Sequence, residues 1–94
     1  MDRELIAEQF GDGILFADGF DEAFVGIAHK ANGKSVACYD MSKCLSILQS
    51  RDGMSLQDAM EFFEYNVLGA YMGDQTPCFL ERVSESGSVY VGPY

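Results

Sequence analysis

Three groupings in this chain have the residue types that chemistry needs. The first is His29 with Cys38, on either side of Asn32-Gly33. A cysteine beside an imidazole can serve as a nucleophile. If the flanking runs pair about a two-residue turn, Ala31 faces Lys34, Ile27 faces Cys38 and Val25 faces Asp40. His29 and Cys38 are then diagonal neighbours on one face, roughly 7–8 Å apart. Only a favourable pair of rotamers connects them, and no third group orients the imidazole. A core cysteine beside a half-buried histidine outweighs the dyad.

The second grouping is Asp12, Asp18, Asp21 and Glu22, set among glycines. A hard cation accepts such oxygens, but the spacing is not that of a 12-residue calcium loop, and Asp-Gly also marks ordinary turns. The third is Glu61 and Glu64, one helical turn apart, with Tyr65 beside them. Paired acids can do general acid–base work, but no pocket can be placed around these two and a solvated face is the default. With Asp58 they set an aromatic ring in a carboxylate patch, which suits docking to a basic protein surface. The glycines at 11, 13, 19 and 26 form neither GxGxxG nor a P-loop. The cysteines Cys38, Cys44 and Cys78 include no CxxC, and a single histidine does not complete a usual zinc site. Reduced, partly buried thiols are the expected state. The chain is therefore expected to be no enzyme and to carry no catalytic residue, cofactor or metal.

Charge is the strongest global property. The formal net charge is −9. Residues 1–22 hold seven acids and one Arg, and residues 55–75 hold four acids and no base. Residues 23–53 are slightly positive, through Lys30, Lys34, Lys43 and Arg51. Such a surface repels nucleic acid and anionic membranes and attracts basic partners, although acidic surfaces also simply confer solubility. At 94 residues, 48% of them hydrophobic, the chain is expected to form one domain, 1–94, with a modest core. No apolar run approaches the roughly 20 residues that span a bilayer, and the N-terminus lacks a signal-peptide layout, so a cytoplasmic location is expected.

The elements that must position these residues follow from periodicity. Ser55–Gly73 is the longest periodic stretch. Ser55 caps it by accepting from the Asp58 amide. At 100° per residue, Leu56, Ala59, Met60, Phe63, Val67, Ala70 and Tyr71 fall in an arc about 120° wide. Gln57, Asp58, Glu61, Glu64 and Tyr65 fall opposite. Phe62, Asn66 and Gly69 flank the arc; Asn66 is expected to bond the backbone of a neighbouring loop, with a ligand-orienting amide as the alternative, and Gly69 leaves room for another backbone. Gly73 is the natural stop. Before this helix, Asp40 caps Met41–Arg51, where Met41, Cys44, Leu45 and Leu48 repeat at helical spacing, and Asp52-Gly53 ends it. Residues 1–12 form a short helix or a loose arm. Ile14–Ala17, Ala23–Lys30 and Lys34–Asp40 read as strands, the last two joined by a type I′ turn at Asn32-Gly33. Cys78–Val83 reads as another strand after Thr76-Pro77, and Val89–Val91 as a last one. Grouped strands and grouped helices predict an α+β fold in β-β-β-α-α-β order: an antiparallel sheet of three to five strands with a two-helix hairpin packed on one face.

The run Tyr39-Asp40-x-x-Lys43-Cys44-x-x-x-Leu48, then Gly53-Met54, then Ala59-x-Glu61-x-Phe63-x-x-Asn66-Val67-x-Gly69-Ala70-Tyr71-x-Gly73 and Thr76-Pro77, resembles a family of small proteins encoded by tailed bacteriophages. Asp18-Gly19-Phe20-Asp21 resembles it too, and the likeness covers about residues 14–80. The family has no established activity, so the resemblance implies a source and a context, not a mechanism. Together with the charge it leads to an expected function: a small acidic phage accessory protein that binds and modulates or inhibits a host protein with a basic surface. The expected target class is a nucleic-acid-binding defence complex, bound without direct contact to nucleic acid or membrane. The expected contact residues are Asp18, Asp21, Glu22, Asp58, Glu61, Glu64 and Tyr65. The alternatives are a self-assembling structural protein that closes a homodimer through Phe62 and Tyr71 and, last, a hydrolase using Cys38 or Cys44.

Overall fold

The computed structural model describes residues 1–83. Helix α1 (Arg3–Phe10) is followed by an extended segment and a 3₁₀ turn (Asp21–Ala23). Then come β1 (Phe24–His29), β2 (Ser35–Asp40), α2 (Met41–Asp52), α3 (Leu56–Phe63), a π-turn (Glu64–Leu68) and β3 (Cys78–Leu80). The fold is α+β; the described residues form three α-helices and a three-stranded sheet ordered β1-β2-β3. The expected strand at Val89–Val91 lies outside the described residues.

Two features differ from the expected architecture. Ile14–Ala17 is extended but pairs with no strand among the described residues, so α1 rather than a strand leads the order. Its backbone is satisfied differently: the Ala17 amide donates to the hydroxyl of buried Tyr39 at 2.9 Å, and Ile14 sits in the core. The sheet is also mixed, not antiparallel. β1 and β2 are antiparallel, but β3 runs parallel to β2. Parallel neighbours need a crossover of a dozen or more residues, and the two helices between β2 and β3 supply it.

The hairpin register differs by one residue. Asn32 has negative φ, which excludes a type I′ turn; Gly33 alone is left-handed, at φ 84°. The Gly33 amide donates to the Lys30 carbonyl (3.0 Å), and the Lys30 amide to the Lys34 carbonyl (2.9 Å). This is a three-residue loop with a left-handed glycine at its end. Ile27 therefore faces Ala37, and Gly26, not Ile27, faces Cys38. An irregularity at Val25 then places Phe24 opposite Tyr39. Because side chains alternate across a strand, the slip moves Ile27 to the core face with Ala37 and Tyr39.

Both helix caps form as their residue types dictate. Asp40 accepts from the Lys43 amide (3.0 Å) and Ser55 from the Asp58 amide (3.1 Å). Asp40 is also buried, and Arg82 Nε donates to its second oxygen at 2.9 Å. At the N-terminus, Asp2 caps α1 by accepting from the Glu4 and Leu5 amides. The core gathers Ile14, Phe20, Ala37, Tyr39, Cys44, Leu48, Ala59 and Phe63. Phe24 meets Tyr39 edge-on at 5.7 Å, and Phe63 meets Phe79 edge-on at 4.9 Å, geometries that aromatic quadrupoles favour.

The expected long helix stops early. The Gly69 amide donates to the Glu64 carbonyl (3.1 Å), a five-residue π-type bond, and the wider turn rotates everything after it. Of the expected apolar arc only Ala59 and Phe63 are buried; Leu56 and Met60 are about half exposed and Tyr71 is 77% exposed. A Cβ on Gly69 would lie 3.0 Å from the Glu64 carbonyl oxygen, so the close backbone is the helix's own. Gly73 belongs to a separate turn, its carbonyl accepting from the Thr76 amide and hydroxyl at 3.1 and 2.7 Å.

Candidate interaction surfaces

The structure treats the two predicted acidic patches differently. In the Asp18–Glu22 segment, Arg3 reaches across from α1. It donates to Asp18 at 3.1 Å and to Asp21 at 2.9 Å while its guanidinium covers the Phe16 ring at 4.8 Å. The two carboxylates hold the Arg3 pKa above its ordinary value, the Asp21 hydrogen bond being the largest cause. The patch is thus partly neutralised from within, and its carboxylates fasten α1 to the body. Glu22 stays exposed in the 3₁₀ turn, next to hollows that also contain Arg51, Lys43 and Arg82.

The α3 patch has no such partner. Asp58, Glu61 and Glu64 are all exposed, and Tyr65 is 84% exposed. Among the described residues, the ion pairs join Arg3, Arg51 and Arg82 to Asp18, Asp21, Asp52 and Asp40, and none reaches α3. Arg51 in addition donates to the Gly19 carbonyl at 2.7 Å, and Lys30 to the Asp74 carbonyl at 2.9 Å. Much of the chain's positive charge is therefore spent away from α3.

Beside these acids runs an apolar strip, of which Leu56 and Met60 belong to the arc expected to face the core. Leu56, Met60 and Leu68 recur at intervals of four and eight and each is about half exposed. Met60, Leu68 and Glu64 line a shallow groove of about 60 Å³ whose other wall is Met41 and Leu45 on α2, with Phe63 at its floor. The signal that could have found part of it was the width of the arc, which holds Leu56 and Met60; Leu68 lies outside that arc.

A second cavity, about 220 Å³, opens between the 16–20 segment, the π-turn and the 72–79 segment. Phe16, Phe20, Val67 and Phe79 line it, with Asn66 and Thr76. Asn66 Nδ2 donates to the Phe62 carbonyl of its own helix (3.2 Å), not to a neighbouring loop as expected. Thr76 Oγ1 is used by the Met72 amide and the Gly73 carbonyl. The cavity thus presents aromatic and aliphatic surface, with Asn66 and Thr76 turned to backbone and exposed Asp18 at its edge.

The thiols and the histidine do not meet. The register puts Cys38 and His29 on opposite faces of the hairpin; His29 faces Ser35, and its Nδ1 shares a 3.1 Å hydrogen bond with the Ser35 hydroxyl. Cys38 instead pairs with Cys78 across β2 and β3. Burial, then the Cys78 hydrogen bond, pushes the Cys38 thiol up to about 11. Burial pushes Cys44 up to about 12. Raised pKa values are the reverse of what an activated thiolate needs. Among the described residues no group of three or more His, Cys, Asp or Glu side chains is placed to hold a metal, and no helix is long and apolar enough to cross a membrane.

Comparison with protein-family models, with curated proteins and with solved structures finds no match to this chain.

Proposed function

We propose that this is a small acidic binding protein whose α3 outer face docks on a basic surface of another protein. Following the resemblance to tailed-phage proteins, that partner belongs to the phage's host, and a defence complex that handles nucleic acid is the target class. α2 and α3 act as a helical hairpin laid on the sheet, so that α3 and the π-turn that continues it turn Asp58, Glu61, Glu64 and Tyr65 outward. The observation that carries this reading is the contrast between the patches: Asp18 and Asp21 are occupied by Arg3, whereas the α3 acids have no ion-pair partner among the described residues. Unneutralised carboxylates around a large exposed tyrosine match a surface built for phosphates. The Asp18–Glu22 segment then serves as a second contact through Glu22.

The test is capture of a partner from host lysate, followed by measured affinity at rising salt. Raising the salt from about 0.1 to about 1 M shortens the screening length from roughly 10 to 3 Å, and binding should weaken steeply. Glu61→Lys/Glu64→Lys should abolish capture while the melting temperature holds. Affinity that ignores both salt and the charge reversal rejects the proposal.

A second reading has its own observation. Leu56, Met60, Leu68, Tyr71 and Met72 are all exposed, and an apolar surface of this kind can close a homodimer. Light scattering at high concentration discriminates, since a strict monomer removes this reading.

A further inference from the structure

We infer that the groove between α2 and α3 is the seat of an amphipathic helix of the partner, one that carries aliphatic anchors flanked by Lys or Arg. This rests on the proposed docking of α3 and names the chemistry of what docks there. Two independent properties converge on the site. The first is shape. Met41 and Leu45 form one wall, Met60 and Leu68 the other, and buried Phe63 closes the floor. Leu56, one turn before Met60, is also about half exposed. Parallel ridges on two packed helices leave a furrow that a third helix can fill with residues at i, i+3, i+4 and i+7. The opening of about 60 Å³ matches roughly two water volumes, the room that one branched aliphatic tip fills. Two of the four wall residues are methionines, whose unbranched, polarizable side chains repack readily against a partner.

The second property is charge. Glu64 stands in the wall between Met60 and Leu68, at the intervening fourth-residue position, and lines the groove itself. Glu61 and Asp58 lie further round the same helix and are exposed. Lys43 on α2 is directed elsewhere, into a hollow with Asp40 and Arg82. A helix in this groove therefore meets carboxylates along one margin, with no described base to offset them. Lys or Arg fits that setting, because the aliphatic stem lies on Met60 and Leu68 while the cation reaches Glu64. A second copy of this chain does not fit, because it brings its own net charge of −9 to the same margin. Residues 84–94 do not fit either, since they contain Glu85 and no base.

The probe is a labelled, end-capped peptide of Leu, Ala and Lys, about four turns long, with Leu at i, i+3, i+4, i+7 and Lys on both flanks. One control has the same composition scrambled, and another has Glu in place of Lys. Fluorescence anisotropy with the full chain should show saturable binding of the first peptide only. Met60→Ser and Leu68→Ser should each weaken it by about tenfold or more, the scale of an interface anchor. Both positions are exposed, so the melting curve should stay put and show that the fold is intact. Glu64→Lys should weaken binding and flatten its salt dependence. The groove is rejected if the serine variants bind like the wild type while Glu64→Lys is weakened, an outcome that leaves the charged-face reading standing. Wild-type affinity for Glu64→Lys overturns that reading and the basic occupant with it. Equal binding of the scrambled or the Glu peptide, or no binding of any, also overturns the groove.

Discussion

Tyr39→Phe tests the joint on which the N-terminal third of the chain depends. Tyr39 is fully buried, and its hydroxyl is the hydrogen-bond partner of the Ala17 amide at 2.9 Å. That bond ties the extended segment before Asp18 to the central strand, and so holds the platform on which Arg3, Asp18 and Asp21 meet. Phenylalanine keeps the ring and its edge-on contact with Phe24, and opens no cavity beyond one oxygen. What is lost is the partner of a partly buried backbone N–H, which costs about 1–3 kcal/mol. For a chain of this size each kcal/mol lowers the melting temperature by about 4–8 °C, so the drop should be about 5–20 °C by circular dichroism. Hydrogen exchange should show the Ala17 amide opening about 5- to 150-fold faster, the same 1–3 kcal/mol at tenfold per 1.4 kcal/mol. Tyr39→Ala should cost about 3–5 kcal/mol, as for other large aromatic deletions. If Tyr39→Phe melts with the wild type, or falls as far as Tyr39→Ala, the hydroxyl does not hold the segment in the way described.

Three further outcomes follow from the same packing. Asp40→Asn keeps an N-cap oxygen but removes the charge facing Arg82, whereas Asp40→Ala removes both. Urea unfolding should show Asp40→Ala the less stable of the two by about 1 kcal/mol, the worth of a cap, and equal midpoints would refute the cap. Gly69→Ala places a Cβ 3.0 Å from the Glu64 carbonyl oxygen; despite the better helix propensity of alanine it should destabilise, by about 1 kcal/mol, and a gain would show that the π-turn relaxes instead. Burial raises Cys38 to about 11 and Cys44 to about 12 from an ordinary 9.0, and raises Tyr39 above its ordinary 10.0. Groups raised on folding favour the folded state below their unfolded pKa and lose that contribution as pH climbs through the folded value. Stability should therefore decline from about pH 9 upward, Cys44→Ala should flatten the decline, and iodoacetamide at neutral pH should label Cys38 slowly; fast labelling would reinstate an activated thiol.

Local chemistry made much of the fold legible. Asp40 and Ser55 cap their helices because each precedes a helical run and can accept from the amide three residues on. The outward face of α3 also follows from spacing alone: Asp58, Glu61, Glu64 and Tyr65 recur at helical intervals, so they share a side. The hairpin register did not follow, because Asn-Gly favours a two-residue turn while its glycine also suits the left-handed end of a three-residue loop. The choice lay in which strand face meets the core, and it separated His29 from Cys38. The direction of β3 did not follow either, since a short apolar strand pairs both ways and the α2–α3 crossover selects between them. The stretch from Ser55 to Gly73 holds both lessons. Its sequence by itself determined the start, the cap and the acidic side, all set by contacts within one or two turns. Only the tertiary structure decided that a π-turn at Gly69 breaks the helical phase and that Leu56, Met60 and Leu68 stay uncovered. An apolar residue is buried only where another element reaches it, and no periodicity within one helix records how far its neighbours extend.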